Sequence, residues 1–329
     1  MHVFISAGEP SGDLHGANLI RELKKRDPSI RLSGFGGDRM AAAGCQLLYP
    51  LAKHSVMWIL AVVKQIFTFL DLLKKAQQFF RDERPDVVVV IDYPGFHWKL
   101  AARARAEGIP VVYFVPPQIW AWARWRVKKM RRLITHVLPA LPFEHEWLSR
   151  HGVRSTYVGH PYFDELAEQK LDEKFFEAET SRPGIVIGIL PGSRNQEVTR
   201  NIPEMLRAAR RVHAARPDTR FLVAAFNEHQ AEMARAEVAK WQMPVEVHVG
   251  RTPEIIELAE CCIAVSGSVS LEMMYRRTPA VIVYRMRRFD LKMGKMLVKV
   301  PYITLVNLLA GEEVYPEFPT DRDPSDRVA

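Results

Sequence analysis

The sequence predicts an α/β protein with two parallel sheets. Three observations carry this reading: short apolar runs alternate with helical patterns, the alternation is repeated in the second half, and the length suits two cores. At 329 residues the chain exceeds one ordinary core, since domains usually hold about 100–200 residues. Hydrophobic content of 48% with 26% charged residues is that of a globular protein without long disorder.

The elements follow in order. HVFISAG reads as a strand before a helix holding LIRELKKR; VVVVID is a second strand before KLAARARAEG, and IPVVYFV a third. Apolar runs joined by helical crossovers are the mark of a parallel sheet. The second half repeats it with IVIGILPGS, a helix from about Ile202 to His213, RFLVAAF, a helical stretch through Val238, VEVHVG, a helix at PEIIELAE, CCIAVSGS, a helix at SLEMMYRR, and AVIVYR. The chain is therefore expected to form two Rossmann-like domains, 1–165 and 183–300, facing a cleft. Charge and turn residues mark 166–182 as a linker, and 301–329 is expected to return towards the first domain.

Lys+Arg number 46 against 38 Asp+Glu, and the resulting +8 suits an anionic partner. The three cysteines form no CxxC pair and no even-numbered framework, so neither a metal nor a disulfide is indicated. The first strand opens at residue 2, so no export leader is expected and the chain should stay in the cytoplasm. The longest apolar run, Val56 to Val63, falls far short of the roughly 20 residues of a membrane span.

ILPGSRNQEV ends a buried strand in Gly192 and Ser193, sets Arg194 at the turn and enters a helix. Free N–H groups at a helix start favour an anion, and the planar guanidinium of Arg194 suits phosphate oxygens. A tight turn with a surface arginine would read the same. A second loop, VSGSVSLEMM, brings Ser266, Gly267, Ser268 and Ser270 ahead of Glu272. Glycine lets a nucleotide approach the backbone, and a carboxylate can accept from two ribose hydroxyls, although Ser268 and Glu272 would equally serve as helix caps. Two such loops favour a nucleotide diphosphate site. The absence of a Walker lysine and of GxGxxG argues against an ATPase and a dinucleotide dehydrogenase.

In the first half, SAGEPSGDLHG turns at Gly8, Ser11 and Gly12 between Glu9 and Asp13. Here the chain resembles the lipid-A-disaccharide synthase family. AGEPSGD looks like the family's opening signature, and SVMW at Ser55 is similar to its SVMG. PPQIWAWARWRV, LPFE, VGHP, LPGSR, SGSVSLE, YRM and LVNLLAG follow in register, from Met1 to about Pro316. The resemblance implies a GT-B fold and an inverting transferase joining UDP-2,3-diacylglucosamine to 2,3-diacylglucosamine 1-phosphate through a β-1,6 linkage, with release of UDP. By motif, Gly192, Ser193, Arg194, Ser266, Gly267, Ser268 and Glu272 should hold UDP, and Asn307 should face the site. No metal or other cofactor is implied. Helix N-termini and Arg194 could offset leaving-group charge instead.

Ile59, Val62, Val63, Ile66, Leu70 and Leu73 fall on one helical face that Phe67 and Phe69 widen, with Trp58 at its edge. Packing on the sheet is the ordinary reading of such a stripe. Acylated substrates and a basic chain favour an acceptor and membrane face, so peripheral attachment to the inner membrane is expected. WAWARWRVKKMRR, Trp120 to Arg132, interleaves three tryptophans with six cations. Lipid head groups or the acceptor phosphate suit it better than RNA, for which no module surrounds it. A second basic cluster runs from Arg285 to Lys299.

Attack by a sugar hydroxyl needs a base. Many family members carry ID-x-P-D-F-N, with the second aspartate taken as catalytic; this chain has Gly95 there and His97 in place of asparagine. Asp92, at the end of its strand, is the first candidate, with Glu9 and Asp13 as rivals and His97 an outsider. The family continues beyond the final DRDPSDRVA, so a fragment or a shortened form is expected and a homodimer stays open. Another UDP-sugar enzyme of the same fold, such as an epimerase or a transferase with a soluble acceptor, and a UDP-sugar binder without catalysis are the alternatives.

Overall fold

The computed structural model describes residues 1–54, 59–297 and 300–329, with side chains described outside 53–66, 292–295 and 297–299. The chain divides into two compact units, Met1–Pro161 and Tyr162–Ala329.

In the first unit β1 (His2–Ala7), β2 (Arg31–Phe35), β3 (Gln46–Tyr49), β4 (Val87–Ile91), β5 (Val111–Phe114) and β6 (His136–Leu138) form one sheet ordered β3-β2-β1-β4-β5-β6. Every pairing is parallel. Its helices are α1 (Pro10–Arg26), α2 (Asp38–Ala42), α3 (Ile59–Glu83), α4 (Pro94–Ala106), α5 (Ile119–Trp122), α6 (Val127–Leu133) and α7 (Pro142–Arg150). Helices cover both faces, which is why β4 is a continuous apolar run. The two-residue period still sorts it: Val88 and Val90 pack with Phe4, Leu72, Leu73 and Phe80, whereas Val89 and Ile91 pack with Val3, Ile5 and Ile20.

The apolar stripe of α3 divides. Leu72, Leu73, Ala76 and Phe80 recur at helical spacing and enter the core, with Phe69 packed partly against it. Leu73 therefore faces the sheet and not a lipid surface, while Phe67 and Leu70 are exposed. Trp58 and the side chains of Ile59, Val62, Val63 and Ile66 lie outside the described residues. Among the described residues no helix is long and apolar enough to cross a membrane.

The second unit contains β7 (Ile185–Leu190), β8 (Thr219–Ala225), β9 (Val245–Val249), β10 (Cys261–Ala264), β11 (Ala280–Arg285) and β12 (Glu317–Thr320), ordered β12-β11-β10-β7-β8-β9 and again parallel throughout. Counted from the first strand of each unit, the two orders are the same. The helices are α8 (Pro161–Glu168), α9 (Glu173–Thr180), α10 (Asn195–Ala215), α11 (Glu228–Val238), α12 (Thr252–Leu258), α13 (Val269–Tyr275), α14 (Arg288–Leu297), α15 (Leu305–Ala310) and α16 (Ser325–Val328).

Residues 166–182 hold the end of α8 and all of α9, and Glu179 makes a buried ion pair with Arg220. The segment is charged because one face is solvated; it is not an open tether. Residues 301–329 group with the second unit. Glu317–Thr320 pairs with β11, and Val328 packs with Val198, Ile202 and Met205 on α10. Filling a bare sheet edge and burying apolar surface account for this course.

Candidate functional site

Within the second unit, the order in which strands are added reverses between β7 and β10, parallel neighbours with Leu190 opposite Ala264. In open parallel sheets such a switch point leaves a crevice at the C-terminal strand ends. Both loops singled out by sequence emerge there. Gly192 adopts φ +116°, and a Cβ on it would lie 2.5 Å from Glu197 Oε2, so only glycine fits. Arg194 caps the 21-residue α10; its N–H donates to Glu197 Oε2 at 3.3 Å and its Nη1 to Oε1 at 2.9 Å. The guanidinium itself stays 70% exposed, so it is available to an anion. Gln230 Nε2 donates to the Ser193 carbonyl at 2.8 Å and steadies the turn.

In the second loop Gly267 has nothing within 4 Å of the place a Cβ would occupy. Ser268 is exposed and makes no side-chain cap, leaving its hydroxyl to the surface. Ser266 Oγ instead donates to the Ile303 carbonyl at 2.8 Å. Glu272 is buried, accepting from the Tyr162 hydroxyl at 2.7 Å and from Arg276 Nε at 3.3 Å. Burial, and then the Glu272 carboxylate, raise the Tyr162 phenol well above its ordinary range.

Asn307 turns inward. It is 0% exposed; Nδ2 donates to the Tyr315 carbonyl and to Glu317 Oε1, both at 2.8 Å, and Oδ1 accepts from the N–H groups of Val314 and Tyr315. Glu317 also accepts from the Ile303 and Thr304 N–H groups. An amide with both ends engaged has nothing left for a nucleotide. Its work is to hold the 303–317 segment that Ser266 touches.

The first unit has its own switch point, between β1 and β4, where Ala7 stands opposite Ile91. The Tyr93 ring closes over Gly8, where a Cβ would lie 2.2 Å from it. Glu9 caps α1 through its backbone and is half-buried. Asp92 and Tyr93 are both left-handed, with φ 49° and 47°, a conformation costing about 1–3 kcal/mol per residue with a side chain. Burial, then the Glu9 carboxylate, raise the pKa of Asp92 against the opposing Tyr93 N–H. Asp13 is engaged elsewhere, for its carboxylate accepts from the N–H groups of Gly37, Arg39 and Met40 at 2.7–3.2 Å and so caps α2. Gly95 is exposed, with open space where its Cβ would be. His97 is fully buried, and burial takes its pKa down to about 4.

Among the described residues Glu179, Glu246 and His248 are grouped closely enough to hold a metal. Their carboxylates are already paired with Arg220 and Arg182, and Arg220 and Glu246 stand near the N-terminal ends of β8 and β9, away from both loops. A cation there would displace two guanidinium groups.

A family model described as lipid-A-disaccharide synthetase matches residues 3–325. The chain belongs to the lipid-A-disaccharide synthase family. It is similar to the lipid-A-disaccharide synthase of Trichlorobacter lovleyi, 35% identical across 99% of this chain and 86% of that one. That of Methylobacillus flagellatus is 37% identical across 95% and 84%. Among solved structures, UDP-GlcNAc 2-epimerase of Neisseria meningitidis bound to UDP-GlcNAc superposes with a TM-score of 0.62 at 12% identity, covering 94% of this chain and 90% of that one. The glycotransferase of kitacinnamycin gives 0.62 at 17% identity, covering 99% and 88%. These share the fold, two parallel six-stranded sheets of GT-B type.

As a lipid-A-disaccharide synthase the chain is a glycosyltransferase. Several residues at its strand ends escaped the sequence reading. Gln230 and Glu317 act through turns that only tertiary contact reveals. Phe226, 70% exposed at the end of β8, was hidden as the last apolar letter of a strand. For Glu197 a signal did exist, because it stands three residues past Arg194 at the spacing of a capping box.

Proposed function

We propose that the chain condenses UDP-2,3-diacylglucosamine with 2,3-diacylglucosamine 1-phosphate, giving the β-1,6-linked disaccharide 1-phosphate and UDP. The observation that carries this is the pair of loops, Gly192–Arg194 and Ser266–Ser268, at the β7/β10 switch point of a family member. The diphosphate meets the start of α10 and the Arg194 guanidinium, and Gly267 leaves room for its backbone approach. Phe226 offers a face for the uracil ring, and Glu272 is the candidate for the ribose.

Asp92 is the proposed base and Glu9 its neighbour; Asp13 is committed to α2 and leaves the set. The acceptor 6-hydroxyl oxygen forms a bond to the donor anomeric carbon as the carbon–oxygen bond to phosphate breaks. UDP departs with that electron pair and the hydroxyl proton passes to Asp92, with inversion at carbon. No metal is assigned, because Arg194 and the α10 terminus supply positive charge where the leaving group forms. Peripheral attachment to the inner membrane is supported by exposed Trp122, Trp125, Phe67 and Leu70. Arg126 lies 4.8 Å from the Trp122 ring centre, an aromatic and cationic pairing suited to an anionic interface.

The test is to incubate purified protein with both acylated substrates, with and without chelator, and follow disaccharide and UDP. Product in both is expected. Loss of product with chelator would remove the metal-free mechanism. UDP-sugar binding without product would leave a non-catalytic binder, and donor epimerisation would place the chain with the epimerases that share its fold.

A further inference from the structure

Asp92 and Tyr93 occupy the left-handed region in succession. Unsupported, they would leave it, because Cβ crowds the neighbouring carbonyl oxygen there. The support is a buried chain of hydrogen bonds. His97 Nδ1 lies 2.6 Å from the Asp92 carbonyl oxygen, and the Tyr113 hydroxyl donates to the same atom at 2.8 Å. On the other side of the ring, Nε2 lies 2.9 Å from Ser6 Oγ. Ser6, His97 and Tyr113 are each 0% exposed. A carbonyl only accepts, so Nδ1 carries the proton; Nε2 then accepts, and Ser6 donates. Burial keeps the ring neutral, with a pKa of about 4, so this one tautomer persists near neutral pH.

We infer that His97, oriented by Ser6, is a positioning residue: it pins the Asp92 carbonyl and thereby fixes the left-handed turn that sets the Asp92 carboxylate beside Glu9. The inference rests on reading Asp92 as the base. It explains how a chain with no side chain at residue 95 still presents one carboxylate in a defined place at the β1/β4 switch point. The groups that act on Asp92 are Glu9 from the start of α1, the adjacent Tyr93, and Tyr113 from β5, itself under the influence of Arg126. Burial and Glu9 raise the Asp92 carboxyl. Released to an ordinary backbone, the carboxylate would turn to solvent and titrate lower.

The experiment compares kcat, KM and the pH dependence of kcat/KM for the full chain and four variants: His97→Ala, His97→Gln, Ser6→Ala and Asp92→Asn. His97→Ala is expected to lower kcat about 10–100-fold at near-constant donor KM and to move the acid limb of the profile to lower pH. His97→Gln keeps an N–H donor and should recover about tenfold of that loss, while Ser6→Ala should show a smaller shift of the same sign. An acid limb that stays in place in Ser6→Ala, whatever happens to its melting temperature, overturns the inference even if His97→Ala does not fold. Undiminished turnover in Asp92→Asn overturns the base reading and the inference together. An inactive Asp92→Asn beside unshifted His97 and Ser6 variants overturns the inference alone.

Discussion

The Val265 N–H donates to the Leu190 carbonyl at 3.0 Å, just past the last paired residues of β10 and β7. That bond holds the roots of the Gly192 and Ser266 loops together, so the two arms of the proposed anion site diverge from a shared base. Substitutions in the arms should therefore act on the ligand, and substitutions beneath them on the fold.

Arg194→Ala tests the arms. The guanidinium is largely exposed and its pair with Glu197 is a surface one, so thermal stability should change little. UDP affinity measured by calorimetry should fall about 10–100-fold, equivalent to about 1.4–2.7 kcal/mol. Arg194→Lys should recover only part of it, because a point charge lacks the two-pronged geometry.

Asn307→Ala tests the base. It removes two donated and two accepted hydrogen bonds from a buried network and strands the Val314 and Tyr315 N–H groups. Denaturant unfolding should register a loss of about 2–4 kcal/mol. A variant of wild-type stability that binds UDP poorly would return Asn307 to the ligand site.

Gly95→Asp should fold with an unchanged melting temperature, since a Cβ there meets nothing within 4 Å and the first turn of a helix favours an acidic residue. Introduced into Asp92→Asn, it should restore measurable turnover. A double variant as inactive as Asp92→Asn alone would show that residue 95 lies beyond reach of the acceptor hydroxyl.

Glu144 should make stability depend on pH. It is buried, accepts from Trp120 Nε1 at 3.0 Å, and burial raises its pKa from 4.5 to about 8. A carboxyl raised in the folded state is stabilising when protonated: the contribution is complete below pH 4.5 and is lost as pH rises to about 8. The melting temperature should accordingly decline across that window, and Glu144→Gln should flatten the decline while still accepting from Trp120.

The β-strands, both switch-point loops and the family were legible because each has a local cause: apolar runs for buried strands, glycine for φ above zero, and ordered motifs. Other assignments failed where tertiary contact decides. The helix expected from about Ile202 begins at Asn195, since the Arg194–Glu197 cap outweighs Pro203 inside α10. Asp13 reads as an acid beside a glycine turn, but α2 claims it from 24 residues away. Leu73 belongs to the apolar stripe by period, and only the sheet beneath shows which part of that stripe is core. Asn307 sits in a motif, and its motif proves to be a clasp on the chain's own last strand.

Each sheet closes through its most distant neighbours in sequence. Val3 pairs with Val87 and Ile187 with Cys261, while all other strand pairs join segments nearer along the chain. The entropy of closing those long loops falls on the seam itself. The crevice at each switch point is therefore the contact of its unit that is hardest to assemble. A ligand bridging β7 and β10 should slow unfolding of the second unit more than it speeds folding, provided that seam is still open at the rate-limiting barrier.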